Sequence, residues 1–238
     1  MAYNNDVEEI TILQNGFDGL YMDYLYKKVK ERFSFLPSVC RIKSEGNQTK
    51  IDFQTENAYC PYVRRFAEEN IADVISVGYK YDFFDKRLKL PLLSSAEKRL
   101  LITALVAADY KDDKLQILRR VRSNGDYCLD GVFHFRLRDI LRRWQGISDY
   151  VPLDMSCPSV EEFLGYLIDD GEGKVYVKDN KVYDENYKLV NKSRLTGKDS
   201  VVGEVLLSGA RRVYCFGELE RNAALFLKKY YGEKAVFC

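Results

Sequence analysis

The spacing of apolar residues changes twice along the chain, and this change constrains the fold more than any other feature. Near both ends, apolar residues form short runs separated by turn residues, which is typical of β-strands. Between these ends, in residues 57–170, they recur at helical spacing. We therefore predict an α+β protein with a strand-containing region at 1–56, a helical region at 57–170 and a second strand-containing region at 171–238, which one compact domain could accommodate.

The first region is predicted to form a β-α-β-β unit. A strand over residues 9–13 precedes a stretch of helical spacing over 17–33. Strands over 39–43 and 50–53 flank a turn at 44–47, whose glycine and asparagine supply the backbone angles of a hairpin.

The helical region is predicted to contain four helices, over residues 59–84, 97–121, 130–144 and 158–168. Serine residues precede the second and fourth helices, where their hydroxyl groups suit the N-cap. The sequence Ser-Asn-Gly-Asp at 123–126 ends the second helix.

The last region is predicted to contain a three-stranded meander followed by a β-α-β unit. The predicted elements are strands at 174–178, 181–183 and 188–190, a helix at 199–208, a strand at 212–216, a helix at 219–231 and a strand at 234–237. The crossover through the last helix makes the final two strands parallel.

Charge and hydropathy limit the classes of function. Lysine and arginine total 37 against 36 for aspartate and glutamate, so the whole chain has no bias towards nucleic acid or acidic lipid. No apolar run approaches the roughly 20 residues of a membrane span. Residues 1–6 have neither the basic start nor the hydrophobic stretch of a secretory signal. We expect a cytoplasmic protein without a membrane span.

Metal, cofactor and nucleotide sites lack their usual sequence patterns. The six cysteines include no C-x-x-C pair, and His134 is the only histidine, so zinc-ligand spacing is absent. The Gly-Lys pair at 197–198 lacks the upstream glycine of a phosphate loop, and the pair at 173–174 leads into a strand instead of a helix. We predict no cofactor and no metal. The cysteines are interpreted as small buried apolar residues, with Cys238 favoured as the last residue of a buried strand.

A cysteine-dependent enzyme stays open as an alternative. It would use Cys128 or Cys238 with His134, the only side chain whose unperturbed pKa lies near neutrality. The sequence supplies no third group to orient the imidazole, and a single histidine beside an apolar helix face is more often a residue at the edge of the core. We therefore lean towards a protein without catalytic activity.

The most unusual segment is the arginine-rich helix predicted over 130–144. Projected at helical angles, its apolar and charged residues fall on separate arcs. The apolar arc holds Phe133, Leu137, Ile140, Leu141 and Trp144, and the charged arc holds Arg136, Arg138, Asp139, Arg142 and Arg143. Phe135 breaks this pattern because it points into the charged arc. From Leu115 to Gln145 there are seven arginines and three aspartates, a local net charge of plus four.

Two interpretations of this segment are open. In the functional one, a surface binds a partner or a phosphate backbone, with Phe135 stacking on a base. Its residues are Phe135, Arg136, Arg138, Arg142 and Arg143. In the structural one, which we favour because the arginines are spread over three arcs, a second helix covers this face. The arginines then pair with carboxylates such as those of residues 169–172. The exposure of Phe135 distinguishes the two.

Several segments resemble the YtxC-like family of sporulation proteins from spore-forming bacteria. The most specific is GVFHFRLRD at residues 131–139, which looks like the phenylalanine, arginine and aspartate helix of that family. The β-α-β-β opening, residues 71–75, the Glu-Lys pair at 97–98, residues 206–210 and the closing cysteine are also similar, so the resemblance covers nearly the whole chain. Residues 167–171 depart from the family pattern.

The family has no established activity, so the resemblance implies a context, sporulation in a Firmicute, and no catalytic residues. We expect a non-catalytic sporulation-associated factor with an unidentified protein partner. The alternatives are binding of nucleic acid or a phosphate ligand through helix 130–144, and a cysteine-dependent enzyme.

Overall fold

The chain has an α+β fold, and the computed structural model describes residues 7–16, 19–122 and 126–238. The chain divides into two compact units. Unit 1 comprises residues 1–78 and 111–142, and unit 2 comprises residues 79–110 and 143–238. The helical region predicted at 57–170 therefore contributes to both units instead of forming a region of its own.

Helices and strands follow one another in nearly the predicted order. The strands are β1 (Val7–Asn15), β2 (Val39–Glu45), β3 (Gln48–Glu56), β4 (Asp126–Cys128), β5 (Lys174–Lys178), β6 (Lys181–Tyr183), β7 (Leu189–Val190), β8 (Arg212–Phe216) and β9 (Ala235–Phe237). The α-helices are α1 (Leu20–Arg32), α2 (Cys60–Asp73), α3 (Lys80–Arg87), α4 (Ser95–Ala108), α5 (Tyr110–Val121), α6 (Leu129–Gly131), α7 (Arg138–Tyr150), α8 (Cys157–Asp169), α9 (Val201–Ser208) and α10 (Arg221–Phe226). Segments of π-helix cover Val74–Tyr79, Val132–Arg136 and Leu227–Tyr231.

Several of the predicted helices differ from the observed ones, and the helix predicted at 59–84 is divided into α2 and α3 by the π-helical segment Val74–Tyr79. The helix predicted at 97–121 is two helices, because α4 ends at Ala108 and α5 begins at Tyr110. The helix predicted at 130–144 is interrupted at Leu137, whose backbone leaves the helical region at φ −113° and ψ 26°. The helix predicted at 17–33 begins at Leu20 among the described residues. Residues 17 and 18, and residues 123–125 of the predicted stop signal, lie outside those residues.

Unit 1 contains a four-stranded sheet in the order β2-β3-β1-β4. β2 and β3 pair antiparallel, which confirms the predicted hairpin, and Gly46 between them has a φ of +58°. β1 pairs antiparallel with β3, a pairing that was not predicted. β4 pairs parallel to β1, with Cys128 opposite Leu13. This strand was not predicted, because three residues are too few to show an alternating pattern.

The core of unit 1 lies where α1 and α2 pack against each other and against the buried face of the sheet. Alternate residues of β3, including Ile51 and Phe53, point into this core. The ring of Phe33, next to α1, packs against the rings of Phe53 and Phe66 at centroid distances of 5.9 and 5.3 Å.

Gly78 allows the buried Tyr21 ring to approach the backbone of the π-helical segment. A Cβ atom at position 78 would lie 2.3 Å from Cε1 of Tyr21, closer than any van der Waals contact. The Tyr21 side chain is 5% exposed and therefore has little room to move away.

We expect Gly78→Ala to lower the free energy of unfolding by about 1–3 kcal/mol, the usual cost of overpacking a core. Urea denaturation followed by circular dichroism measures this loss. A matched control is Gly146→Ala, because a Cβ atom at Gly146 meets no atom within 4 Å. In a Tyr21→Leu background the cost of Gly78→Ala should shrink, and an unchanged cost would contradict the proposed clash.

Unit 2 contains a five-stranded sheet in the order β7-β6-β5-β8-β9. β5, β6 and β7 form the predicted antiparallel meander, and Asp179 and Asn180 make its tight turn with φ values of 51° and 56°. β8 pairs parallel to β5, and β9 pairs parallel to β8, which confirms the predicted direction of the last two strands. β1, which contains residues 9–13, and β9, which covers Ala235–Phe237, thus belong to two separate sheets.

One face of the unit 2 sheet is buried. Val175, Val177, Val182, Val213 and Cys215 point to this face and are at most 2% exposed. Helix α9 packs against β5 and β6 on this side. Beside this layer, α4 begins with a complete capping box: the Ser94 hydroxyl accepts a bond from the Glu97 amide, and the Glu97 carboxylate accepts one from the Ser94 amide. None of the helices that the structure describes is both long and apolar enough to cross a membrane.

Candidate functional site

The segment from the end of α5 to α7 in unit 1 holds the residues that the sequence singled out. Within it, the π-helical turn Val132–Arg136 has a buried residue on either side of its exposed part. Val132 is 5% exposed and Leu137 is fully buried, so both fix the turn to the core. Phe135 lies between them and is 73% exposed. The expectation that a second helix covers this face is therefore wrong at Phe135.

Two arginines hold this turn through reciprocal hydrogen bonds. The Arg120 guanidinium donates to the Arg136 carbonyl at 2.9 Å and to Oδ2 of Asp139 at 3.0 Å. The Arg136 guanidinium donates to the carbonyls of Arg120 and Arg122 at 3.4 and 3.5 Å. Because these guanidinium groups satisfy backbone carbonyls at the break before α7, Arg120 and Arg136 serve to fix the shape of the turn.

The remaining cations of the segment lie at its surface. Arg138 is exposed and forms no ion pair with any residue that the structure describes. Nη1 of Arg142 lies 3.5 Å from Asp139, and the Arg142 side chain is 79% exposed. Arg143 is half-buried and belongs to unit 2. Phe135, Arg138 and Arg142 are all exposed and lie within residues 135–142 of unit 1, and we name these three residues the Phe135 surface.

The ion pairs of Asp139 and Asp169 differ from the predicted pairing of the arginines with the carboxylates of residues 169–172. Asp139 pairs with Arg120 and Arg142 within unit 1. Asp169 pairs with Lys234 within unit 2. The Lys234 ammonium lowers the pKa of Asp169, first through this hydrogen bond and then through its charge.

A cleft of about 270 Å³ adjoins Phe135. Its lining is largely apolar with one acidic and one basic residue, and comprises Val121, Asp126, Cys128, Gly131, Val132, Phe135 and Arg136. The cleft is too small for a folded partner but large enough for a single side chain. It therefore extends the Phe135 surface with a pocket that an aliphatic or aromatic residue can fill.

The residues proposed for a cysteine-dependent enzyme are His134 and Cys128 in unit 1 and Cys238 in unit 2. His134 is exposed and its ring packs edge-on against Phe133 at 5.0 Å. No hydrogen bond joins His134 to Cys128 in the part of the chain that the structure describes. Cys238 is exposed, so the prediction that it ends a buried strand is wrong. β9 stops at Phe237, and only the backbone amide of Cys238 reaches the sheet, where it donates to the Cys215 carbonyl at 2.9 Å.

A second cluster, which the sequence did not indicate, surrounds Cys60 at the start of α2. The Cys60 thiol donates to Oε2 of Glu8 at 2.7 Å, and Arg64 donates to the same oxygen at 3.2 Å. Burial and the bond to Glu8 raise the pKa of the Cys60 thiol, with burial the larger cause. A thiol that stays protonated is a poor nucleophile, so this cluster does not support covalent catalysis.

The Cys60 cluster joins distant parts of unit 1. Its cleft of about 260 Å³ includes Glu68, which accepts a hydrogen bond from the Tyr127 hydroxyl at 2.8 Å. Burial, followed by this bond, raises the pKa of Tyr127. Since Glu8 is in β1 and Tyr127 is in β4, the cluster connects two paired strands to α2. Such contacts between elements far apart in sequence give no local pattern from which the cluster could be predicted.

No group of three or more histidine, cysteine, aspartate or glutamate residues is arranged to hold a metal ion within residues 7–16, 19–122 and 126–238. No family model, curated protein or solved structure matches the chain.

Proposed function

We propose that this protein is a non-catalytic interaction factor in spore formation and that it binds an acidic protein partner through the Phe135 surface. The observation that carries the proposal is the 73% exposure of Phe135 on a turn that Val132 and Leu137 fix to the core. An aromatic ring held in a defined position beside cations is typical of a binding hot spot.

The charges of this surface support an acidic partner. Arg138 and Arg142 give the exposed segment that follows Phe135 two positive charges, and the carboxylate between them in sequence, Asp139, is shared by Arg120 and Arg142. An acidic segment could pair with Arg138 while an apolar side chain enters the cleft beside Phe135. The resemblance of residues 131–139 to the YtxC-like family supports the sporulation context, because two of the three residues of this surface, Phe135 and Arg138, belong to that segment.

Binding of nucleic acid by the same segment has weaker support. Phosphate contacts need several free cations along one surface. Here Arg120 and Arg136 direct their guanidinium groups at backbone carbonyls, and Arg142 faces Asp139. A protein partner that uses Phe135 as an anchor needs fewer free charges and therefore fits the observed pairing better.

Phe135→Asp is expected to weaken the complex by roughly 30-fold or more, the effect of removing one hot-spot residue. The matched control is Phe35→Asp, because Phe35 is also in unit 1 and is 75% exposed. Tagged wild-type and variant proteins would be purified from sporulating cells under gentle conditions, and the partners identified by mass spectrometry. A partner present with the wild type and Phe35→Asp but absent with Phe135→Asp is the expected result.

Two outcomes would contradict the proposal. One is that Phe135→Asp retains every partner that the wild type retains. The other is that nuclease treatment removes the complex, which would favour nucleic acid as the ligand. Both variants should unfold within about 0.5 kcal/mol of the wild type, since each change is at the surface.

A further inference from the structure

On the second face of the unit 2 sheet, one row of residues crosses all five strands. The three middle strands each contribute a tyrosine to this row. Tyr176 of β5 lies opposite Tyr183 of β6 and opposite Tyr214 of β8. Tyr183 in turn lies opposite Leu189, and Tyr214 lies opposite Val236. Because residues in register on paired strands share a face, three tyrosines form the centre of this row and an aliphatic residue ends it at each edge.

Cations occupy the rows on either side of the tyrosines. Lys174 lies opposite Arg212 at one end of the strands. At the other end, Lys178 lies opposite both Lys181 and Phe216. The strand positions in these rows are Lys174, Tyr176, Lys178, Lys181, Tyr183, Leu189, Arg212, Tyr214, Phe216 and Val236. They contain four cations, four aromatic residues and no carboxylate.

This face is open to solvent. Its cations are exposed, its tyrosines are half-buried among their neighbours, and Phe216 is 40% exposed. The rings are already arranged in one layer: the Tyr176 centroid lies 5.8 Å from that of Tyr214 and 6.3 Å from that of Phe216. The Lys174 ammonium lies 5.6 Å from the Tyr176 centroid. The opposite face of the sheet packs against α9. The two faces therefore differ in their packing as well as in their composition.

A turn residue extends the aromatic layer at the cost of backbone strain. Tyr187, between β6 and β7, stacks on Tyr176 at a centroid distance of 4.6 Å and an interplanar angle of 9°. Its φ is +57°, a conformation that a bulky residue rarely adopts. Asp184 holds the turn, because its Oδ1 accepts the amides of Asn186 and Lys188, each at 2.9 Å. Tyr187 is nevertheless 70% exposed, so the fold holds an aromatic ring in a strained position facing solvent.

We propose that this face binds single-stranded RNA, with its tyrosines stacking on bases and its lysines and arginine contacting the backbone. The ten strand positions carry four cations and no carboxylate, and Glu185 in the adjoining turn contributes one negative charge that acts on Tyr176. The excess of cations makes the face complementary to a polyanion. Aromatic rings on an open sheet can stack only on bases that are not already stacked in a duplex, which favours a single strand. The tyrosine hydroxyls are donors and acceptors that can meet the ribose 2′-hydroxyl, which DNA lacks.

The test uses a labelled oligouridine of about 12 nucleotides, within the length that one such surface covers. Fluorescence anisotropy is expected to show binding at about 50 mM salt, with log K falling against log salt at a slope no steeper than about −3 for four cations. The duplex form of the same length and the DNA strand of equivalent sequence should bind more weakly.

Tyr214→Ala is expected to weaken RNA binding by about 5- to 150-fold, the range for loss of one stacking ring. Tyr214→Phe keeps the ring and should keep most of the affinity, which separates stacking from any effect on folding. Tyr166→Ala is the matched control, because Tyr166 is in α8 of the same unit and is 71% exposed. It should leave the affinity unchanged.

Three results with the wild type would overturn the proposal: no binding of the oligouridine at low salt, duplex binding as tight as single-strand binding, or DNA binding as tight as RNA binding. With the variants, equal effects of Tyr214→Ala and Tyr166→Ala on RNA affinity would also overturn it. The proposal is independent of the Phe135 surface. Phe135→Asp should therefore leave RNA binding unchanged, and loss of the protein partner in that variant bears only on the proposed function.

Discussion

Replacing Glu204 by alanine is expected to lower the free energy of unfolding by about 3–5 kcal/mol, because three donors would lose their acceptor in the interior of unit 2. Glu204 is 3% exposed. Its Oε1 accepts the Ser193 amide at 2.7 Å and the Ser193 hydroxyl at 2.8 Å, and its Oε2 accepts the Lys192 amide at 2.9 Å. The carboxylate thus accepts the hydrogen bonds that water would otherwise accept from the segment between the meander and α9.

Urea denaturation followed by circular dichroism measures this loss. Glu218→Ala is the control, because Glu218 is exposed in the same unit and its removal should change stability by less than about 0.5 kcal/mol. The loss of unfolding free energy in Glu204→Gln should lie between the losses in Glu204→Ala and Glu218→Ala. The amide group of glutamine can replace only one carboxylate oxygen as an acceptor. A loss in Glu204→Ala no larger than that of Glu218→Ala would contradict the role of this carboxylate.

The same residue makes stability depend on pH. Burial raises the pKa of Glu204 above its ordinary value of 4.5, and this effect exceeds the opposite effect of the bonds from Ser193 and Lys192. A carboxyl group with a higher pKa in the folded state binds its proton more tightly there than in the unfolded chain. The part of the stability that comes from this tighter proton binding is therefore full below the unfolded pKa and is lost as pH rises through the folded pKa. Across that interval, the stability of the wild type relative to Glu204→Gln should fall as pH rises.

Trp144→Ala is expected to lower the free energy of unfolding by about 3–5 kcal/mol, the usual range for removal of a large aromatic side chain from a core. Trp144 is fully buried and is the largest side chain in the core. Its ring lies 5.9 Å from the Phe83 ring, and the buried Lys80 ammonium lies 5.9 Å from its centroid. Alanine would leave a cavity beside both groups.

The end of the same helix supplies the control for this prediction. Tyr150, the last residue of α7, is 89% exposed, so Tyr150→Ala should change stability by less than about 0.5 kcal/mol. Trp144→Phe should cost less than Trp144→Ala because it fills part of the cavity. Thermal unfolding of the four proteins compares them directly, and similar midpoints for Trp144→Ala and Tyr150→Ala would contradict the buried position of the indole.

Patterns that depend on neighbouring residues were predicted correctly from the sequence. The alternation in residues 174–178 and 212–216 gave β5 and β8 with their observed bounds. The Asp179-Asn180 turn and the Ser94 cap followed from the conformations and hydrogen bonds that these residue types favour. Helical projection also placed Leu137, Ile140 and Trp144 in the core, where all three are buried.

Features that depend on distant residues were not predicted. β4 exists because β1 offers it a parallel partner more than a hundred residues earlier in the chain. The break at Leu137 depends on the bonds between Arg120 and Arg136, which are 16 residues apart. The tyrosine row was present as outward positions in two predicted strands, but its formation required the register that sets Tyr176 opposite Tyr214.

The strands at the edges of the two sheets affect how copies of this chain meet one another. An edge strand exposes unpaired amides and carbonyls to which a strand from another molecule can add. Three of the four edges are too short to serve as a template, since β4 and β9 have three residues each and β7 has two. The fourth, β2, has exposed Arg41 and Lys43, and like charges oppose the approach of a second β2. These edges therefore oppose the edge-to-edge addition of strands by which copies of this chain would polymerise.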